Sequence, residues 1–244
     1  TFNVTPIADG LVTIQIPAGA VQDPDGNPNV EATFSITSDR TAPDAPVITG
    51  LDPASDGGVL GDGITNVPAP TIIGTAEPGS TIEVFADSGS GPVSLGTTVT
   101  DAGGNWAFTP ANDLCDGTYT ITATATDAAG NVSAVSTGFT LTIDTVRPTT
   151  TITTTEPDPT SAATIPFTVV FSKDVTGFSL SGITVVNGTA SNFVMVDART
   201  YTFDVTPDGD GLVTVTVAAG AAADIAGNAN EEASFTIRSE RFSP

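Results

Sequence analysis

Four stretches of the chain place an aspartate four residues before an asparagine, with glycine directly ahead of the asparagine. They are Asp127-Ala-Ala-Gly-Asn131, Asp224-Ile-Ala-Gly-Asn228, Asp23-Pro-Asp-Gly-Asn27 and Asp101-Ala-Gly-Gly-Asn105. Side chains of this type at this spacing have two uses. They can hydrogen-bond their own backbone and fix a turn. They can also offer oxygens to a hard cation, since calcium takes six to eight of them from carboxylates, amides and carbonyls. Magnesium suits the set less well, because it demands tighter octahedral geometry. DPDGN (23–27) and DGDG (208–211) lack the twelve-residue calcium loop with its terminal glutamate, so no EF-hand is read.

The elements that position these turns are strands. Gly117–Asn131, GTYTITATATDAAGN, alternates Tyr119, Ile121, Ala123 and Ala125 with threonines, a period of two. Asp127 therefore sits at the tip of a strand and at the end of a domain. Tyr119, three residues after Asp116 at a strand start, fits a tyrosine corner. Trp106, Phe108, Tyr119 and Phe139 read as core. Abundant Thr and Ser with 25 Gly and 18 Pro favours short strands and frequent turns over helices.

Composition excludes several functions. There are 28 acidic and 6 basic residues, a net charge of −22. The cations are Arg40, Arg147, Lys173, Arg199, Arg238 and Arg241, too few to neutralise nucleic-acid phosphates or dock on an anionic membrane. The acidity has two readings: solubility or adaptation to salt water on one side, cation binding on the other. Absence of histidine removes triads and most zinc sites. Cys115 is the sole cysteine, so no intrachain disulfide forms, and it is expected as a small buried apolar residue. No signal peptide or membrane span is visible, and the chain reads as an excerpt.

The chain divides into three. Residues 1–42 read as the second half of a domain, with strands TFNVTP, LVTIQIPAGA and EATFSIT. Thr1–Arg40 aligns without gaps on Thr202–Arg241 at a constant offset of 201 (202 − 1), the mark of a tandem array. Residues 43–145 and 146–244 each carry about seven short strands, the pattern of a complete immunoglobulin-like sandwich. Either a longer chain or another chain completes the half-domain. The linkers Asp39-Arg-Thr-Ala-Pro43, Asp144-Thr-Val-Arg-Pro148 and Glu240-Arg-Phe-Ser-Pro244 set an acid four residues before a proline, which stiffens the crossing. The expected fold is all-β, immunoglobulin-like sandwiches arranged end to end.

The central module resembles the bacterial Ig-like repeats of giant secreted adhesins and biofilm proteins. The resemblance rests on SDGGVLGDGITN (55–66), PTIIGTAEPGSTIEVF (70–85), DAGGNWAFTP (101–110), DGTYTITATATDAAGNVS (116–133) and LTIDT (141–145). The flanking type is similar to a second bacterial Ig-like family through PFTVVFSKDVTGF (166–178), ITVVNGTASNF (183–193), YTFDVTPDGDGLVTV (201–215) and DIAGNAN (224–230). The resemblance implies an extracellular repeat region, often with calcium at domain ends. Val146-Arg147 departs from the usual Thr-Ala before proline, so the second joint is expected to differ from the first.

Tracing strand directions through the sandwich gathers acids at the joints. Joint one collects Asp9 and Asp39 from one side and Asp44, Asp101, Asp127 and Asn131 from the other. Joint two collects Asp116 and Asp144 with Asp174, Asp224 and Asn228. Bare carboxylates a few ångströms apart repel by about 1 kcal/mol per pair in water, more where water is excluded. Calcium at the joints is the expected remedy. The functional expectation is a non-enzymatic, extracellular bacterial rod that holds a distal module away from a cell surface. Its partners are neighbouring repeats of the same chain. The alternatives are a structural subunit of a filament or surface layer, and a module that grips a glycan or surface.

Overall fold

The computed structural model describes residues 2–241. Thr1 and the end of the third linker, residues 242–244, lie outside the described residues. β1 (Gly10–Ile16) and β2 (Ala32–Ser38) form an antiparallel hairpin. The central module follows as β3 (Val47–Leu51), β4 (Ile64–Thr65), β5 (Ile72–Thr75), β6 (Thr81–Asp87), β7 (Val93–Val99), β8 (Asn105–Phe108), β9 (Gly117–Thr126) and β10 (Phe139–Ile143). They make two sheets in the orders β4-β10-β9-β6-β7 and β3-β5-β8. The last module has β11 (Thr150–Thr154), β12 (Ile165–Phe171), β13 (Ile183–Val186), β14 (Gly188–Met195), β15 (Thr200–Pro207), β16 (Gly211–Val217) and β17 (Ala233–Ser239). Its sheets run β11-β12-β15-β14 and β13-β16-β17.

Alternation decides which faces meet. β6 turns Ile82, Val84 and Ala86 inward, and β9 turns Ile121, Ala123 and Ala125 against them. Full burial of a large aliphatic side chain stabilises by about 1.5–3 kcal/mol. Trp106 and Phe108 are buried in the same core, with Tyr119 and Phe139 packed at its edge. The last core is more aromatic. Phe167 stacks on Phe203 at 5.5 Å and meets Phe235 edge-on at 5.8 Å.

Past Asp127 the chain leaves the ladder, so the closing stretch is strand only over β10. Hydroxyl oxygens of Ser136 and Ser133 accept the amides of Ala123 and Ala125, both at 2.9 Å. The tyrosine corner is present, with Tyr119 Oη donating to the carbonyl of Cys115 at 2.9 Å. Position 115 is thus used through its backbone. Its side chain, expected inside, is exposed, because it stands in the connection before β9, where no alternation directs it to the core.

One expected strand is missing. Phe2–Pro6 is not in a sheet, although the matching part of β15 is. β15 pairs with β12 and β14, and the described residues ahead of β1 supply no such neighbours.

Candidate functional site at the domain joints

The four Asp-to-Asn turns share one geometry. In the turn at Asp127, its amide donates to the carbonyl of Asn131 at 3.1 Å and Gly130 donates to the carbonyl of Asp127 at 3.2 Å. The carboxylate accepts the amide of Asn131 at 2.9 Å and the Asn131 side-chain amide at 2.8 Å. Glycine serves before the asparagine because φ is positive there, +92° at Gly130. The turn-fixing use of these residues is therefore realised. Hydrogen bonds from the Asn131 side chain, then from its backbone and that of Ala129, hold the Asp127 carboxyl below its ordinary value. Asp101 and Asp23 are lowered by their own turns in the same way.

At joint two this turn is pressed against the preceding domain. The Asn228 side-chain amide donates to the carbonyl of Asp144 at 2.7 Å and to both Asp224 oxygens at 3.2 and 3.0 Å. Asp224 and Asn228 are both buried. Lys173, just past β12, lies between the two acids. Its Nζ is 2.6 and 2.7 Å from the Asp144 carboxylate oxygens and 3.1 Å from Asp224 Oδ2, and it donates to the carbonyl of Val146. Partial burial lowers the lysine pKa, but its bonds to Asp144 and Asp224 outweigh that and hold it above its ordinary value. Arg147 anchors the linker, donating from Nε to the Ala229 carbonyl at 2.9 Å.

Backbone contact completes this joint. A Cβ on Gly57 would stand 2.4 Å from the Ala226 carbonyl oxygen, and one on Gly58 would stand 1.9 Å from that of Ile225. Gly58 also has φ of +67°. The loop between β3 and β4 thus lies directly on the Asp224–Asn228 turn, at a distance no larger residue allows.

Joint one repeats the asparagine contact without the rest. The Asn131 side chain donates to the carbonyl of Asp39 at 3.3 Å. At Gly130 an added Cβ meets nothing within 4 Å, whereas its counterpart Gly227 has the Gly58 nitrogen 2.7 Å away. The connection after β5, Ala76-Glu77-Pro78-Gly79, holds an acid and no lysine where the last module has Lys173.

Several expected members of the joints turn elsewhere. Asp174 pairs with Arg199 Nε of its own module at 2.6 Å. Asp116 accepts the amide and hydroxyl of Thr145 at 3.1 and 2.8 Å. Asp101 is engaged by Gly103 and Asn105 of its own turn, and Asp44 is exposed beside Ala45. Asp9 binds the Arg40 amide at 2.9 Å and the Thr41 hydroxyl at 2.5 Å, fastening the linker to its own segment. Among the described residues no three acid, cysteine or histidine side chains converge as a metal centre would need. Sequence reasoning missed Lys173, Gly57 and Gly58. The available signals were that Lys173 is the chain's only lysine and that Gly57-Gly58 is a glycine pair in a long loop.

Two models of the bacterial Ig-like domain match the chain, one over residues 41–145 and the other over residues 144–239. The chain belongs to the bacterial Ig-like domains. Among solved structures, it is similar to a crystal structure of a tetra-tandem repeat in the extending region of a large adhesion protein. The likeness has 21% identity and a TM-score of 0.35, and covers 96% of this chain and 57% of that one. A search of the curated proteins found no match. Tandem bacterial Ig-like domains place each module's neighbours in its own chain, and joint two shows two of them in direct contact.

Proposed function

We propose that these bacterial Ig-like domains form a non-enzymatic spacer in an extracellular adhesion or biofilm protein, stiffened by neutralising the acids at each joint. The observation that carries this reading is the Lys173 ammonium bridging Asp144 of one module and Asp224 of the next. A chain of net charge −22 with 6 cations commits its single lysine to the boundary between two domains. Two carboxylates about 4 Å apart repel by roughly 1 kcal/mol in water and 4 kcal/mol near a protein surface. Lys173 converts that repulsion into attraction.

The joints differ in what they ask of calcium. At joint two the donors do not suit a divalent ion, because an ammonium lies between the carboxylates. At joint one calcium would draw on the carboxylates of Asp39 and Asp127, with water left to complete a shell of six to eight oxygens. Calcium held there would neutralise Asp39 and Asp127 as Lys173 neutralises Asp144 and Asp224 at joint two. Joint two is accordingly rigid without added cations, and joint one stiffens with calcium.

Spin labels test this reading joint by joint. The exposed Cys115 takes one label, with a second on Gln15→Cys to report joint one or on Thr206→Cys to report joint two. Chelator should broaden the distance distribution of the first pair and leave the second narrow. Equal breadth in both pairs, with and without calcium, would sink the proposal.

A further inference from the structure

A cavity of about 250 Å³ lies between β3, the loop that follows it and β10. Leu51, Pro53, Leu60 and Phe139 give it apolar walls, and among the described residues Asp56 is the only charged one to line it. Asp56 is 7% exposed. Its Oδ2 accepts the Gly61 amide at 2.5 Å. Its Oδ1 is buried and has no hydrogen-bond partner. A carboxylate oxygen taken out of water and left unmet is costly, and such a group normally has a donor or a cation beside it.

The chain supplies none. Arg40, Arg147 and Arg241 bond backbone carbonyls elsewhere, Lys173 holds Asp144 and Asp224, Arg199 holds Asp174, and Arg238 holds Glu240. The missing partner therefore comes from outside. The loop is fixed in advance of it. The Thr65 hydroxyl donates to the Ser55 carbonyl at 2.6 Å and accepts the Gly57 amide at 3.2 Å. At Gly63 an added Cβ would stand 3.2 Å from Cζ of Phe139, so the backbone lies against that ring. Little ordering opposes a ligand that enters such a site.

We propose that this cavity binds a primary alkylammonium, as carried by a lysine side chain or a free aliphatic diamine. The ammonium is the charged donor that Asp56 Oδ1 lacks. The methylene stem lies along Leu51, Leu60 and Phe139 with its head on the acid. A guanidinium fits less well, because its fork seeks both carboxylate oxygens and Gly61 already takes one. Calcium fits less well too, because it seeks six to eight oxygens and here one carboxylate stands among apolar walls. The net charge of −22 raises the concentration of cations around the whole chain.

Amide NMR of the full chain tests this at neutral pH, where a primary amine is protonated. The Gly61 resonance should shift saturably with n-butylammonium, at an affinity at least about tenfold above that for ammonium, because the stem buries apolar surface. Asp56→Asn should weaken binding of both by at least about tenfold. Leu60→Ser changes a wall residue that is 65% exposed, so the fold stays intact, and it should reduce the advantage of the stem while leaving ammonium binding in place. That second variant decides the matter if Asp56→Asn fails to fold. Comparing Nα-acetyl-lysine methylamide with cadaverine then separates a lysine side chain from a free diamine. Absence of a saturable shift overturns the proposal. So does undiminished binding by folded Asp56→Asn, or a Gly61 shift produced by calcium chloride and not by n-butylammonium at equal ionic strength.

Discussion

Lys173 reaches across a domain boundary to both oxygens of Asp144, at 2.6 and 2.7 Å, while also touching Asp224. The Asp224 side chain is 2% exposed, and a buried carboxylate stripped of its partner is costly. The joint is therefore a small ionic cluster in which each member depends on the others.

Removing the ammonium should open the cluster. Lys173→Met keeps the stem and deletes the charge. We expect a loss of about 1–3 kcal/mol in the last module, between the values for exposed and buried pairs. Joint two should also become responsive to salt. A double-mutant cycle with Asp144→Asn, followed by thermal unfolding, checks this. A coupling of zero would mean that the two side chains act independently.

Gly58 is predicted to matter only at the joint. Gly58→Ala puts a methyl group into the Ile225 carbonyl and strains a positive φ. Both sandwich cores should keep their own cooperative transitions, while protease cleavage at the linker 144–148 becomes faster. Cleavage at the parent rate would show that the contact contributes nothing to the joint.

The tyrosine corner gives a test confined to the central module. Tyr119→Phe removes the bond to the Cys115 carbonyl, worth about 1 kcal/mol. For a module of about 100 residues the midpoint should fall by about 4–8 °C. The transition of the last module should stay where it is.

Acid and base should act on different parts. Asp127, Asp101 and Asp23 have folded pKa values below 3.8. Their stabilising contribution is complete above that value and is lost as pH falls through the folded values beneath it. Lys173 is raised above 10.5, so its contribution is complete below that pH and is lost as pH rises through the folded value. The label distance across joint two should hold steady from neutrality to pH 10.5 and broaden as pH rises through the folded value above it. In Lys173→Met the alkaline step should vanish; its persistence would assign it to another group.

Much was legible because it is local. Period-two alternation in Gly117–Thr126 marked β9 and its inward residues, since neighbouring side chains on a strand must face opposite ways. The Asp-to-Asn spacing marked the turns, whose hydrogen bonds close within five residues. The 201-residue offset marked the repeat of the β16–β17 pairing in β1 and β2. Knowing which end each turn occupies also places Asn131 near Asp39 and Asn228 near Asp144.

Tertiary structure decided which acids are neutralised and by what. Asp116 and Asp174 occupy the expected ends, yet Thr145 and Arg199 hold them within their own modules. Lys173 meets acids 29 and 51 residues away, and Gly58 meets a turn of the following module. Alternation and turn spacing act between near neighbours, so the sequence by itself determined strands, turns and the repeat. Charge pairing and close backbone contact depend on distances that exist only once two domains have folded and met.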